Sequence, residues 1–282
     1  MAIAIASIGF GEAGQAFARL DVRAYDRKVA DPVTRAAMVD AYRAAGVRGS
    51  DTPQDALADA EAVLSLVTAD QALPAARDYA ALLAPGVLWL DMNSVAPDTK
   101  RAAARAVTAA GGRYVDVAVM APVLPARLAV PLLLAGPDAA DAEAVLRDHG
   151  FTNIAIAGPS IGAASSIKMI RSVMVKGLEA LTAECGIAAE RAGVRDAVIA
   201  SLDASWKPQG WETRIDYNLD RMMAHGLRRA AEMEEVAVTL EALGVEPAMT
   251  RGTIRRQRAL GTLGVTPPDG LTAKLAALGD TQ

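Results

Sequence analysis

The chain has 282 residues, 52% of them hydrophobic and only 4% aromatic, with a formal net charge of −4. That length allows two domains with an ample core, and the mildly acidic balance gives no footprint for nucleic acid or an anionic membrane as partner. Cys185 is the only cysteine, so no intrachain disulfide can form, and His149 and His225 lie too far apart for metal-ligand spacing.

Residues 2–8 form an apolar run that fits a buried strand of a parallel sheet. It ends in Gly9, Gly11 and Gly14, a complete G-x-G-x-x-G, and a helical pattern follows with Ala13, Ala16, Phe17 and Leu20. Gly9 permits the tight turn, Gly11 lets a pyrophosphate approach the backbone, and Gly14 lets the helix pack closely. The N–H groups at the helix start, around Phe10, Glu12 and Ala13, then face the phosphates. A second strand over 22–25 ends in Asp26, placed to bond a ribose hydroxyl, with a first helix truncated by the short spacing. Asp26 favours NAD, whereas Arg27 and Lys28 suit the 2′-phosphate of NADP. The apolar N-terminus lacks a basic leader and reads as a strand, not a signal peptide. No stretch approaches a membrane-crossing helix, and the single cysteine fits a reducing, cytoplasmic setting.

Asp31-Pro32 and Thr52-Pro53 are helix starts, the first helix ending at Gly46. Residues 62–67 form the next strand, with Val67 and Thr68 at its carboxyl end, where ligands of such sheets bind. Asp70 is placed to cap the following helix. A strand over 87–91 opens into Asn93-Ser94, where Ser94 either caps the helix starting near Pro97 or contacts the cofactor. Strands over 114–119, 131–135 and 152–157 and a helix over 138–149 complete an alternating series. These elements predict an α/β Rossmann-type, doubly wound sheet over residues 1–158. No convincing strand follows, so residues 159–282 are expected to form an all-α domain.

That domain opens on a long helical pattern from 161 to about 192. Ile167, Ile170, Val173, Met174, Leu178 and Leu181 make its apolar side, and Ser165, Lys168, Ser172 and Glu179 a polar stripe. The stripe is either a solvated face or part of a site; in a site, Lys168 can act as general acid or base, its pKa lowered by burial and by Arg171.

The glycine turn, the segment Asp116-Val117-Ala118-Val119-Met120-Ala121-Pro122 and the segment 162–168 together resemble the β-hydroxyacid dehydrogenases, relatives of 6-phosphogluconate dehydrogenase. The string Lys168-Met169-Ile170-Arg171-Ser172 with Lys176-Gly177-Leu178-Glu179 resembles a less characterised branch, often labelled only phosphogluconate dehydrogenase-like. The resemblance spans residues 3 to about 249. It implies NAD(P)-linked oxidation of a hydroxy acid or related alcohol, a homodimer built through the C-terminal helices, and Lys168 as the catalytic residue. It also implies substrate contacts at Ser94, Val119, Met120, Ala121, Arg171, Ser172, His225 and Arg228. Two departures stand out. Met120-Ala121-Pro122 replaces the family's serine and glycines, and Ser172 replaces its asparagine, so the pocket is expected to be more apolar. An imine reductase on the same fold, or a dinucleotide sensor without catalysis, are the rival readings.

Further along, Trp206, Trp211 and Tyr217 either wall an active-site mouth or plug a loop between helices. His225, Arg228 and Glu232 share a helical face, as an ion-pair network or as an anion clamp. Residues 262–282 predict a loose final helix.

Overall fold

A computed structural model describes residues 3–206 and 208–279. In chain order the elements are β1 (Ile5–Ile8), α1 (Glu12–Ala16), β2 (Arg23–Tyr25), α2 (Pro32–Ala45), β3 (Arg48–Gly49), α3 (Pro53–Leu57), β4 (Ala62–Ser65), α4 (Ala72–Ala80), β5 (Leu88–Asp91), α5 (Pro97–Ala109), β6 (Arg113–Val119), β7 (Leu132–Ala135), α6 (Ala139–Asp148) and β8 (Ile154–Gly158). The helices α7 (Ala163–Arg191), α8 (Arg195–Ser205), α9 (Trp211–Ala242), α10 (Ala248–Gly261) and α11 (Leu271–Gly279) follow, with no further strand among the described residues. The described chain divides into two compact units between Val173 and Met174.

The strands form one sheet in the order β3-β2-β1-β4-β5-β6-β7-β8. From β3 to β6 and between β7 and β8 neighbours run parallel, whereas β7 is antiparallel to β6. Residues 120–131 hold only a single 3-10 turn, Arg127–Ala129, and no crossover α-helix, so the chain turns back beside β6 instead of crossing over. Alternate strand residues feed two cores. Ala6, Ile8, Val63 and Trp89 face one side, and Ile5, Leu64, Leu90 and Val117 the other. Both faces are therefore covered, as a mostly parallel sheet requires.

Local signals place the helices. Asp31 accepts from the Val33 N–H, Pro32 opens α2, and Gly46 closes it with a φ of 69°. Thr52 caps α3 through the Asp55 N–H. Two expectations need correction. Helix α1 stops at Ala16, so Leu20 lies beyond it and is exposed. Asp70 does not cap α4; it sits in a 3-10 turn, Ala69–Gln71, and accepts from Gln71 Nε2. Bonds from Thr68 and Gln71 hold its carboxyl below the usual range.

In the second unit, Glu184 of α7 accepts from the Met249 and Thr250 N–H groups and the Thr250 hydroxyl, capping α10. Burial raises the Glu184 pKa, but these bonds outweigh it and leave it lowered. Lys274 of α11 is buried, its ammonium 2.9 Å from Asp216 and 3.5 Å from Asp220 on α9. Cys185 is exposed and free. Residues 280–282 of the expected final helix lie outside the described residues.

Candidate functional site

The sheet reverses its strand order between β1 and β4, because β2 and β3 lie on one side and β5 onward on the other. A crevice forms at the carboxyl ends of strands at such a point. The glycine turn lies there. Gly9 has a φ of +93°, and a Cβ on it would stand 2.4 Å from the Leu66 carbonyl oxygen, so only glycine fits between β1 and β4. A Cβ on Gly14 would stand 2.8 Å from the Gly9 carbonyl oxygen. The close packing that Gly14 permits is thus against the turn itself. At Gly11 a Cβ would meet nothing within 4 Å, and no side chain caps the start of α1.

A cavity of about 470 Å³ opens over this turn, lined by Gly9, Gly11, Glu12, Ala13, Asp26, Arg27, Lys28, Val67 and Thr68 among others. Asp26 holds the turn closed. Its Oδ2 accepts from the Phe10 N–H at 2.8 Å and its Oδ1 from the Lys28 N–H at 3.0 Å. Arg27 donates to Gln71 Oε1. Phe10 does not line the cavity: its ring is fully buried and tilts against Tyr42. Tyr79, on the cavity wall, has its phenol pushed up to about 12 by burial and by Tyr25. The uncapped helix start, the open face of Gly11 and the carboxylate at the end of β2 fit a dinucleotide's phosphates and ribose.

A second cavity, of about 360 Å³, adjoins the first. The two share Glu12, Ala13, Leu66 and Val67, and the second adds Asn93, Ser94, Val119, Ala121, Pro122, Val123 and Lys168. Lys168, from the second turn of α7, donates to Ser94 Oγ at 2.6 Å. Ser94 does not cap α5, whose preceding residue is Ala96 and carries no side-chain cap. Asn93 is buried; its amide nitrogen donates to Asp91 and to Ser65, and its amide oxygen accepts nothing among the described residues.

The other candidates are placed as follows. The Met120 N–H is engaged by the Pro131 carbonyl, and Arg171 donates to the Met120 carbonyl. Ser172 turns back and donates to the Lys168 carbonyl in its own helix. Ser165 leaves the polar stripe for the interior, where it bonds Asp116. Ile170 and Val173, expected on the apolar side, are 71% exposed. His225 and Arg228 are exposed on α9 of the second unit, and the Glu232 side chain lies outside the described residues. Trp206, Trp211 and Tyr217 are each more than half exposed, so they plug no loop. Arg214 covers the Trp206 ring at 4.2 Å.

Sequence reading missed a buried ionic cluster behind the second cavity. Lys100, Asp91 and Asp116 have no exposed side-chain surface, and Tyr114 donates to Asp91 Oδ2 at 2.7 Å. Burial, with Asp91 beside it, raises the Tyr114 phenol. The overlooked signal was charge at core positions: Asp91 and Asp116 in apolar strands, and Lys100 in line with Ala103, Ala104 and Val107 on one helix face.

Fold and cavities together define an NAD-binding protein of the dehydrogenase-like class. The chain belongs to the family of the NAD-binding domain of 6-phosphogluconate dehydrogenase, whose model matches residues 4–182. Residues 189–260 match a domain of unknown function, DUF1932. A conserved hypothetical protein from Sinorhizobium meliloti 1021 is 36% identical, with 99% of this chain and 97% of that one covered and a TM-score of 0.62. The conserved protein MTH1747, described as structurally similar to 3-hydroxyacid dehydrogenases, is 29% identical over 97% of this chain and 98% of its own, with a TM-score of 0.59. An imine reductase from Streptomyces aurantiacus shares the fold at 22% identity and a TM-score of 0.74, with 97% of this chain and 99% of that one covered. The expected resemblance to the hydroxyacid dehydrogenases and the Rossmann-type fold followed by helices both stand. No described helix is long and apolar enough to cross a membrane.

Proposed function

We propose that the chain is an NAD(P)-dependent dehydrogenase that oxidises a hydroxy acid or a related alcohol, with Lys168 as general acid and base. One observation carries the reading: Lys168 and the glycine turn line adjoining cavities. Residues 1–158 serve as the dinucleotide-binding domain and residues 159–282 as the substrate and dimerisation domain. Gly9, Gly11, Glu12, Ala13 and Gly14 would hold the phosphates, Asp26 the ribose, and Val67, Thr68, Asn93 and Ser94 the nicotinamide end. A bound nicotinamide supplies the hydride chemistry. The protein's own part is to position the substrate and to move one proton. In the oxidative direction the neutral Lys168 amine takes the hydroxyl proton and becomes an ammonium; in reduction the same proton returns to the oxygen. Ser94 holds the amine in place and offers the substrate oxygen a second hydrogen-bonding group.

The test is a cofactor-reduction assay over a panel of hydroxy acids and alcohols, on wild type and on Lys168→Ala. Turnover that survives unchanged in Lys168→Ala would defeat the reading. Tight cofactor binding with no turnover on any substrate would favour a sensor.

One feature favours imine reduction as a second reading. The resemblance implies that the segment after β6 holds a substrate carboxylate, yet Pro122 has no N–H and the Met120 N–H is already bonded. A neutral substrate suits such a wall. Lys168 as an ammonium could then donate the proton that an imine nitrogen requires. Cyclic imines belong on the same panel.

The same reading makes the protein a cytoplasmic homodimer paired through its C-terminal helices. Ile199, Leu202, Trp211, Ile215 and Leu227 are exposed in the second unit, and this apolar surface supports the reading of pairing there. Sedimentation equilibrium giving a monomer at micromolar concentration would remove this element.

A further inference from the structure

The buried Lys100 has a connectivity that stability alone does not explain. Its ammonium donates to Asp91 Oδ1 at 3.1 Å and to the Asp91 and Val117 carbonyls, and it stands 3.4 Å from Asp116 Oδ1 as an ion pair without a hydrogen bond. A buried ion pair is weak evidence for stability, since a well-packed apolar replacement often folds as well or better. What this one does is join two structural branches.

The first branch runs through Asp91. Its Oδ1 accepts from the Asn93 N–H at 3.0 Å and from Asn93 Nδ2 at 2.8 Å, and Asn93 Nδ2 also reaches Ser65 Oγ at 3.0 Å. These bonds fasten the turn that carries Ser94 to the ends of β4 and β5. The second branch runs through Asp116 of β6. Its Oδ2 accepts from the Gly162 N–H at 3.1 Å, the Ser165 N–H at 3.0 Å and the Ser165 hydroxyl at 3.0 Å. A strand carboxylate therefore caps the first turn of α7, where the helix dipole favours negative charge. Lys168 follows Ser165 by one helical turn.

We propose that Lys100, Asp116 and Ser165 are positioning residues that set the contact between Lys168 and Ser94. One ammonium ties the element bearing Ser94 to the element bearing Lys168, so the reacting amine is placed from behind by groups that line neither cavity. The proposal rests on Lys168 being the reacting amine, and its test needs no turnover. A cluster that merely held the sheet together would change stability and leave the surroundings of residue 168 as they are.

The experiment labels the folded protein with limiting trinitrobenzenesulfonate, which modifies uncharged amines, and counts modification at Lys168 against Lys176 by peptide mass spectrometry. Lys176 lies exposed on the same helix and serves as the internal reference. Asp116→Asn keeps the side-chain shape but weakens the cap. It is expected to raise the Lys168-to-Lys176 ratio about threefold, the size of one ordinary hydrogen bond. Ser165→Ala removes one of the bonds to Asp116 and is expected to raise the ratio by a smaller, measurable factor. An unchanged ratio in folded Asp116→Asn overturns the proposal. Should that variant not fold, Ser165→Ala decides alone, and an unchanged ratio there overturns it as well. If the ratio rises while no alcohol, hydroxy acid or imine is turned over, the positioning stands and the catalytic reading falls.

Discussion

Lys168 Nζ and Ser94 Oγ stand 2.6 Å apart, joining the second turn of α7 to the turn after β5 across residues separated by 74 positions in the chain. The pair lies on the wall of a cavity that adjoins the one over the glycine turn. A positioned amine there can exchange a proton with a substrate oxygen.

Removing that amine separates chemistry from binding. Lys168→Ala is expected to lower kcat by about 100-fold or more. Affinity for the cofactor should hold within a factor of about two, because the glycine turn and Asp26 are untouched. Stopped-assay rates and a fluorescence titration with reduced cofactor, run on the same preparation, measure both halves.

Cofactor choice is expected to turn on Asp26 and its neighbours. The carboxylate both braces the glycine turn and faces the first cavity. Asp26→Ala is expected to weaken NADH binding about tenfold, or about 1.4 kcal/mol. Wild type should bind NADH more tightly than NADPH. Tighter NADPH binding that disappears in Arg27→Ala would instead assign the 2′-phosphate to Arg27 and Lys28.

Gly9→Ala tests the turn. The new methyl would sit 2.4 Å from the Leu66 carbonyl oxygen at a φ of +93°, so β1 and β4 must shift apart or the turn must distort. A loss of about 2 kcal/mol or more is expected in urea unfolding. A midpoint equal to wild type would show that the turn has slack.

His149 gives the fold a pH dependence. Burial holds its imidazole below the usual value, although the Phe17 carbonyl 2.9 Å away pulls the other way. The unfolded chain then binds the proton first, near pH about 6.5. Stability is full above that pH and falls as the pH drops through it toward the folded value. The melting temperature should decline from pH 7.5 to 5.5, and less steeply in His149→Gln. An equal slope in both proteins would assign the decline to groups other than His149.

Much of the first unit was legible locally. The glycine turn, Asp31-Pro32, Thr52-Pro53 and the apolar strands all act through near neighbours, so their signals sit in a few consecutive residues. Asp70 misled because a 3-10 turn competes with α4 for the same backbone groups. Ser165 misled because helical spacing says which residues share a face and not what that face meets. It meets a carboxylate from β6.

The order of strands and helices in the first unit apart from the two-residue β3, the truncated first helix, the glycine turn and the acidic residue closing β2 were written in the chain, because period, chirality and turn chemistry are short-range properties. Only the tertiary structure decided that β7 runs backwards, that Lys168 reaches Ser94, and that Lys100 lies buried between Asp91 and Asp116. Those facts depend on which distant segments share an interior. There, the cost of burying an unpaired charge selects the partner, and no local pattern encodes that choice.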